Sequence, residues 1–159
     1  VARCGYALIE TAAGTSQVYS YGCLETPAHL SLPKRLLVLQ QRLQEVFTWG
    51  AEVLAIEALF FNKNIRTAMM VAQARGVVLL SAAQFGLPVV EYTPPEVKQA
   101  VVGYGRADKR QIQEMLLRTL NLSSLPQPDD AADALAVAVC HAQVARFAEH
   151  TQPGGAGPV

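Results

Sequence analysis

Apolar residues recur along this chain with two different periods. Between Leu32 and Gly50 they fall at three- and four-residue steps, as Leu36, Leu39, Leu43, Val46 and Phe47, and Gly50 ends the pattern. That spacing predicts one buried helix face. The segments "CGYALIE" and "QVYSYGCLET" read instead as two strands joined at "TAAGTS", where Gly14 and Ser16 supply turn chemistry. "EVLAIEAL" is a short apolar run of strand length, and a long helix is expected over roughly Ile65 to Phe85, closed by Gly86. "PVVEYTP" is another strand, and "PPEVKQAVVG" opens a helix with proline in its first turn. "DKRQIQEMLLRTL" is a further helix with Asp108 as its N-cap, and "DDAADALAVAVCHAQVARFAEH" is the last. Residues 1–150 read as one domain, and the tail 151–159, "TQPGGAGPV", is expected to be disordered.

Apolar strands alternating with helices imply an α/β sheet covered on both faces, and the opening hairpin makes that sheet mixed. In such sheets sites form at the carboxyl ends of strands. Glu57 interrupts an apolar run at such an end. Asp130 and Asp133 begin the last helix three residues apart, so both project from one face.

These acids have ordinary readings too. Asp130 follows Pro126 and Pro128 and suits a helix N-cap, and Glu57 suits a strand end in solvent. Asp133 is harder to place on the surface. Its helix is apolar on nearly every side and should be buried. A buried carboxylate without a partner costs on the order of several kcal/mol. No Lys or Arg lies on this helix before Arg146, so the partner comes from elsewhere in the chain or is a cation. Three acids among apolar neighbours point to a hard divalent ion; Mg²⁺ takes oxygen ligands, often a few carboxylates with water and substrate phosphate. His141 reads as a core residue on the same helix, not a ligand.

Lys98 lies two to three turns into the helix that starts after Pro94-Pro95. Lys109 and Arg110 occupy a helix N-terminus, where backbone N–H groups and two cations suit a phosphate. Each cation alone also reads as an ordinary solvated charge. Phe60 and Phe61 follow Glu57 closely; either both pack inward, or one stacks on an unpaired base, worth ~1–3 kcal/mol.

Composition narrows the choice. With 51% hydrophobic and 16% charged residues in 159, the chain is globular rather than disordered. The longest uncharged stretch, Gly76 to Val90, is too short and too broken by Gly86 and Pro88 for a membrane span, and no signal-peptide pattern is visible. Cys4, Cys23 and Cys140 have no metal-ligand spacing, and their odd number argues for a reducing, cytoplasmic setting. Zero net charge weighs against a polyanion partner, but its distribution tempers that. Ala58 to Val90 carries Lys63, Arg66 and Arg75 with no acid, and Arg106, Lys109 and Arg110 form a second basic cluster. No Walker-type loop, zinc spacing or nucleophile elbow occurs.

The stretches "CGYALIE", "IEALFFNKN", "AQARGVV", "VKQAVVGYGRADK" and "DDAADALAVAVCH" follow one another in this order. Together they resemble the RuvC-type Holliday-junction resolvases of the ribonuclease-H-like superfamily, over nearly the whole chain to about His150. The resemblance implies a mixed five-stranded sheet with helices on both faces. It implies that Glu57, Asp130 and Asp133 are three of four metal-binding acids, with Lys98 and Lys109 near the scissile phosphate. Phe60 matches the aromatic that inserts at the junction crossover, and Lys63, Arg66, Arg75, Arg106 and Arg110 would face the DNA backbone. Two Mg²⁺ or Mn²⁺ ions per site would support phosphodiester hydrolysis in recombination and repair, leaving 5′-phosphate and 3′-hydroxyl ends. The implied partners are four-way junction DNA, a second copy of the chain held through the helix from about residue 66, and the RuvA–RuvB branch-migration helicase complex. The family's first acid lies in "GIDPG", which aligns three residues before Val1, so the first strand of the five is expected to be absent from the sequence as given. Two other readings fit the same residues: a non-catalytic junction-binding module, or a related nuclease acting on another branched or RNA-containing substrate.

Overall fold

The computed structural model describes residues 3–58 and 64–151. The chain runs β1 (Arg3–Ala12), β2 (Thr15–Glu25), α1 (Leu32–Phe47), β3 (Leu54–Glu57), α2 (Ile65–Gln84), β4 (Val89–Tyr92), α3 (Pro94–Val102), α4 (Lys109–Thr119) and α5 (Asp129–Thr151). All of the elements expected from the periodicity form. The turn between β1 and β2 is made by Ala13 and Gly14, at φ 51° and 79°. Both central residues are left-handed, as a tight hairpin requires. Ser16 belongs to β2, where its hydroxyl lies 3.2 Å from that of Thr11 across the ladder. Residues 152–159 of the expected tail lie outside the described residues, and Thr151 still belongs to α5.

Among the described residues four strands of the expected mixed sheet form, in two hydrogen-bonded pairs. β1 and β2 are antiparallel, with a register shift between Leu8 and Ile9, and β3 and β4 are parallel. β1 and β3 share no ladder bonds; α5 bridges them, packing on β1, β2 and β3. The architecture is α/β, with helices on both faces of the strands.

Alternation of side chains sorts each strand between two cores. Ala7, Ile9, Ala55, Val90 and Tyr92 face α3, α4 and α5, around Leu116 and Leu135, which are fully buried. Cys4, Tyr6, Leu24, Leu54 and Ile56 face α1 and α2, around Leu39, Val78 and Ala82. In α1 the expected stripe holds, with Leu39, Leu43, Val46 and Phe47 buried. α5 is apolar all round because neighbours cover it on several sides.

One contact sets how α5 sits on the strands. A Cβ at Gly5 of β1 would lie 1.9 Å from the carbonyl oxygen of Asp130 and 2.4 Å from its carbon. Only a hydrogen fits between β1 and the first turn of α5. Gly5→Ala must therefore push backbone from backbone. We expect a loss of roughly 3 kcal/mol, at the upper end of overpacking costs, measured by urea unfolding. A stability within about 0.5 kcal/mol of the parent, the range of ordinary surface changes, would show that the close approach is not obligatory.

Candidate active site

Glu57 is the last residue of β3 and points to the α5 side, like Ala55 two residues before it. Its carboxyl is pushed up, mainly by burial and then by the charge of Asp133, while Lys98 opposes the shift. The same cause dominates at Asp133. Burial raises its carboxyl, Lys109 draws it back, and Asp130 and Asp129 raise it further. Glu57 from β3 thus lies in the fields of Asp133 from α5 and Lys98 from α3, and Asp133 in that of Lys109 from α4.

The first turn of α5 explains how the acids are presented. The Pro128 carbonyl accepts from the N–H groups of Ala131 and Ala132 at 3.0 and 3.2 Å, opening the helix. Asp129 and Asp130 stand in the first turn, where the helix dipole favours negative charge. The helix starts at Asp129, so Asp130 is not its cap; its carboxylate meets Arg3 Nε at 3.3 Å. Asp129, which the sequence did not single out, accepts from Lys109 Nζ at 3.2 Å and from Gln113 Nε2 at 3.4 Å. Its signal was the doubled "DD" ahead of an apolar helix. Because Asp130 turns to Arg3 and Asp129 to Lys109, no three ligand-type side chains close on a single point among the described residues.

Both lysines ride on helices opened by capping boxes. In α3 the Thr93 hydroxyl accepts from Glu96 N–H at 3.3 Å, and the Glu96 carboxylate accepts from Thr93 N–H at 2.6 Å. Those bonds hold the Glu96 carboxyl below its usual range. In α4 Asp108 accepts from Gln111 N–H at 2.8 Å, and the Gln111 side chain accepts from Asp108 N–H at 2.9 Å. Such reciprocal caps fix where a helix begins, and so where Lys98 and Lys109 stand. Lys109 is held up by its bond to Asp129 and the nearby acids. Lys98 takes part in no ion pair among the described residues.

The remaining cations divide. Arg66 and Arg106 are exposed, at the start of α2 and in the loop after α3. Arg110 pairs with Glu114 one turn on, at 3.0 Å. Arg75 is placed differently from a backbone-facing cation: its side chain is 13% exposed and engages Glu91 and the Glu57 main chain. Phe60 and Lys63 lie outside the described residues. His141 is only partly buried; its Nδ1 lies 2.7 Å from the Tyr92 hydroxyl, and burial lowers its pKa.

Strand pairs clasped between helices, with a carboxylate at a strand end facing carboxylates on the covering helix, define a ribonuclease-H-like domain. The family model described as crossover junction endodeoxyribonuclease RuvC matches residues 1–141. The chain is 55% identical over 139 residues to the crossover junction endodeoxyribonuclease RuvC of Desulfitobacterium hafniense, covering 87% of this chain and 84% of that one. With the RuvC of Thermomicrobium roseum it shares 51% over 150 residues, covering 94% and 91%. A solved structure of Thermus thermophilus RuvC superposes with a TM-score of 0.79 at 33% identity, over 91% of this chain and 88% of that chain. The T. thermophilus RuvC solved in complex with a Holliday junction substrate gives a TM-score of 0.86 at 32% identity, over 92% and 90%. This chain belongs to the RuvC family of crossover junction endodeoxyribonucleases.

The raised carboxyls carry a sign. Glu57 and Asp133 bind protons more tightly folded than unfolded. Their contribution to stability is therefore present at acid pH and lost as pH rises through their raised values. Without metal, Asp133→Asn should melt at a higher temperature than the parent near neutral pH, and the gap should close on acidification. Equal melting curves at every pH would remove the electrostatic strain assigned to this residue.

Proposed function

We propose that this chain resolves four-way DNA junctions by paired, metal-dependent phosphodiester hydrolysis, in recombination and repair within the cytoplasm. The observation that carries this reading is its likeness, at a TM-score of 0.86, to a RuvC solved with its Holliday junction substrate. The site chemistry agrees. Glu57, Asp130 and Asp133 offer only hard oxygen donors, which suit Mg²⁺ or Mn²⁺. Burial raises the cost of ionising both Glu57 and Asp133, and nearby acids raise it further at each, a cost that a bound cation relieves. These three residues would hold two ions, and the chemistry such a pair supplies is activation of a water and neutralisation of the leaving 3′-oxygen. Asp130 exchanges Arg3 for that role. Lys98 from α3 and Lys109 from α4 would offset charge that builds on the phosphate in the transition state.

The proposed partner copy meets α2. Ile65, Met69 and Leu80 are exposed along one stripe, at 75%, 59% and 54%. Ala72 and Gly76 lie between them, and nothing stands within 4 Å of a Cβ at Gly76, so a second helix can approach closely. A two-fold pair of sites matches the two-fold symmetry of a four-way junction. The RuvA–RuvB helicase complex is the further partner that family membership suggests.

Nicking of a mobile four-way junction in the presence of Mg²⁺ tests the reading. Glu57→Gln and Asp133→Asn in the intact protein should abolish nicking while junction binding persists. Nicking that survives both changes excludes the metal role, and a parent that binds but never nicks is a junction-binding module. Lys109→Ala should slow cleavage by ~10²-fold and lower the salt slope of junction binding by about 1. An unchanged rate and slope would take Lys109 out of the phosphate site.

A further inference from the structure

Arg75 projects from α2, yet its contacts belong to the strand ends. Its Nη1 donates to the Glu57 main-chain carbonyl at 2.7 Å. Its Nη2 pairs with the Glu91 carboxylate. Ile56 stands opposite Glu91 and Glu57 opposite Tyr92, so the guanidinium spans the last two rungs of the β3–β4 ladder. Ala58 N–H donates to the Tyr92 carbonyl at 2.8 Å, the last rung among the described residues.

The two sides of β3 divide the labour. The Glu57 side chain faces α5, where Asp133 and Lys98 sense it. Its main chain is gripped by an arginine of α2, the helix that packs on the opposite core. A strand end with no further rung is free to fray. A charge-assisted bond to the carbonyl of the terminal residue removes that freedom where the carboxylate is aimed. An exposed ion pair would do little, but this guanidinium is largely covered and bonded through both Nη atoms. It has correspondingly little left to offer a phosphate.

We propose that Arg75 is a positioning residue for Glu57: it clamps the β3 terminus to β4 so that the Glu57 carboxylate is pre-aimed at the divalent ion. The proposal rests on the reading of Glu57 as a metal ligand, and it replaces DNA contact as the role of Arg75.

Mn²⁺ binding to the DNA-free intact protein, followed by electron paramagnetic resonance, tests it alongside the salt dependence of junction binding. Arg75→Ala should weaken Mn²⁺ binding by ~10–100-fold, the usual cost of removing a residue that orients a ligand. Arg75→Lys should recover part of that loss, because one ammonium reaches one acceptor at a time, and Glu91→Gln should fall between. Junction affinity and its salt slope should match the parent. Unchanged Mn²⁺ affinity in Arg75→Ala, or a reduced salt slope, overturns the proposal. If Arg75→Ala does not fold, Arg75→Lys and Glu91→Gln decide it by the same criterion. A Glu57→Gln variant that binds Mn²⁺ as tightly as the parent overturns the reading of Glu57 itself, a result separable from failure at Arg75.

Discussion

Backbone lies against backbone where β1 passes under the first turn of α5. The space between Gly5 and the Asp130 carbonyl admits a hydrogen and nothing larger. That approach fixes α5 in height and rotation at its acidic end. Leu135 and Cys140 then fall into the buried core, and Asp133 is delivered opposite the end of β3. Hydrophobic burial along α5 supplies much of the driving force for packing, but burial is non-directional and does not by itself choose a register. The glycine contact does, because interiors are packed too densely to absorb a misplaced turn.

Around that fixed point the molecule accumulates charge it does not neutralise from within. Glu57 and Asp133 are both driven up first by burial and then by other acids, with Lys98 and Lys109 acting against the shift. Two lysines and Arg3 meet four acids, so the balance is left to whatever cation enters. Sites of this kind trade stability for readiness. The supporting shell is correspondingly stiff: two capping boxes locate the lysines, and the covered Arg75 holds the strand that ends in Glu57.

Much of this was legible in the sequence, and what was not shares a cause. Glu57 and Asp133 stood out because each is a charge in an apolar run, a conflict that local pattern exposes. Asp108 and its box could be read from D-x-x-Q directly. Arg75 could not: its partners Glu57 and Glu91 lie eighteen residues before and sixteen after it, and nothing local distinguishes a clamp from a surface cation. Asp129 was hidden by its neighbour, since only the position of Pro128 decides which aspartate starts the helix. Gly5 carried no visible signal beyond being a glycine in a strand.

The glycine contact also grades α5 along its length. Near Gly5 the helix lies directly against the β1 backbone, so an added atom there moves the acids themselves. At the far end Val144 and Phe147 are exposed, at 48% and 72%. Insertions, deletions or fused segments beyond that point displace the free end of a lever whose fulcrum lies at the acids. Variation in related chains should therefore be plentiful after the last buried turn of α5 and nearly forbidden in its first, a slope of tolerance set by one missing methyl group.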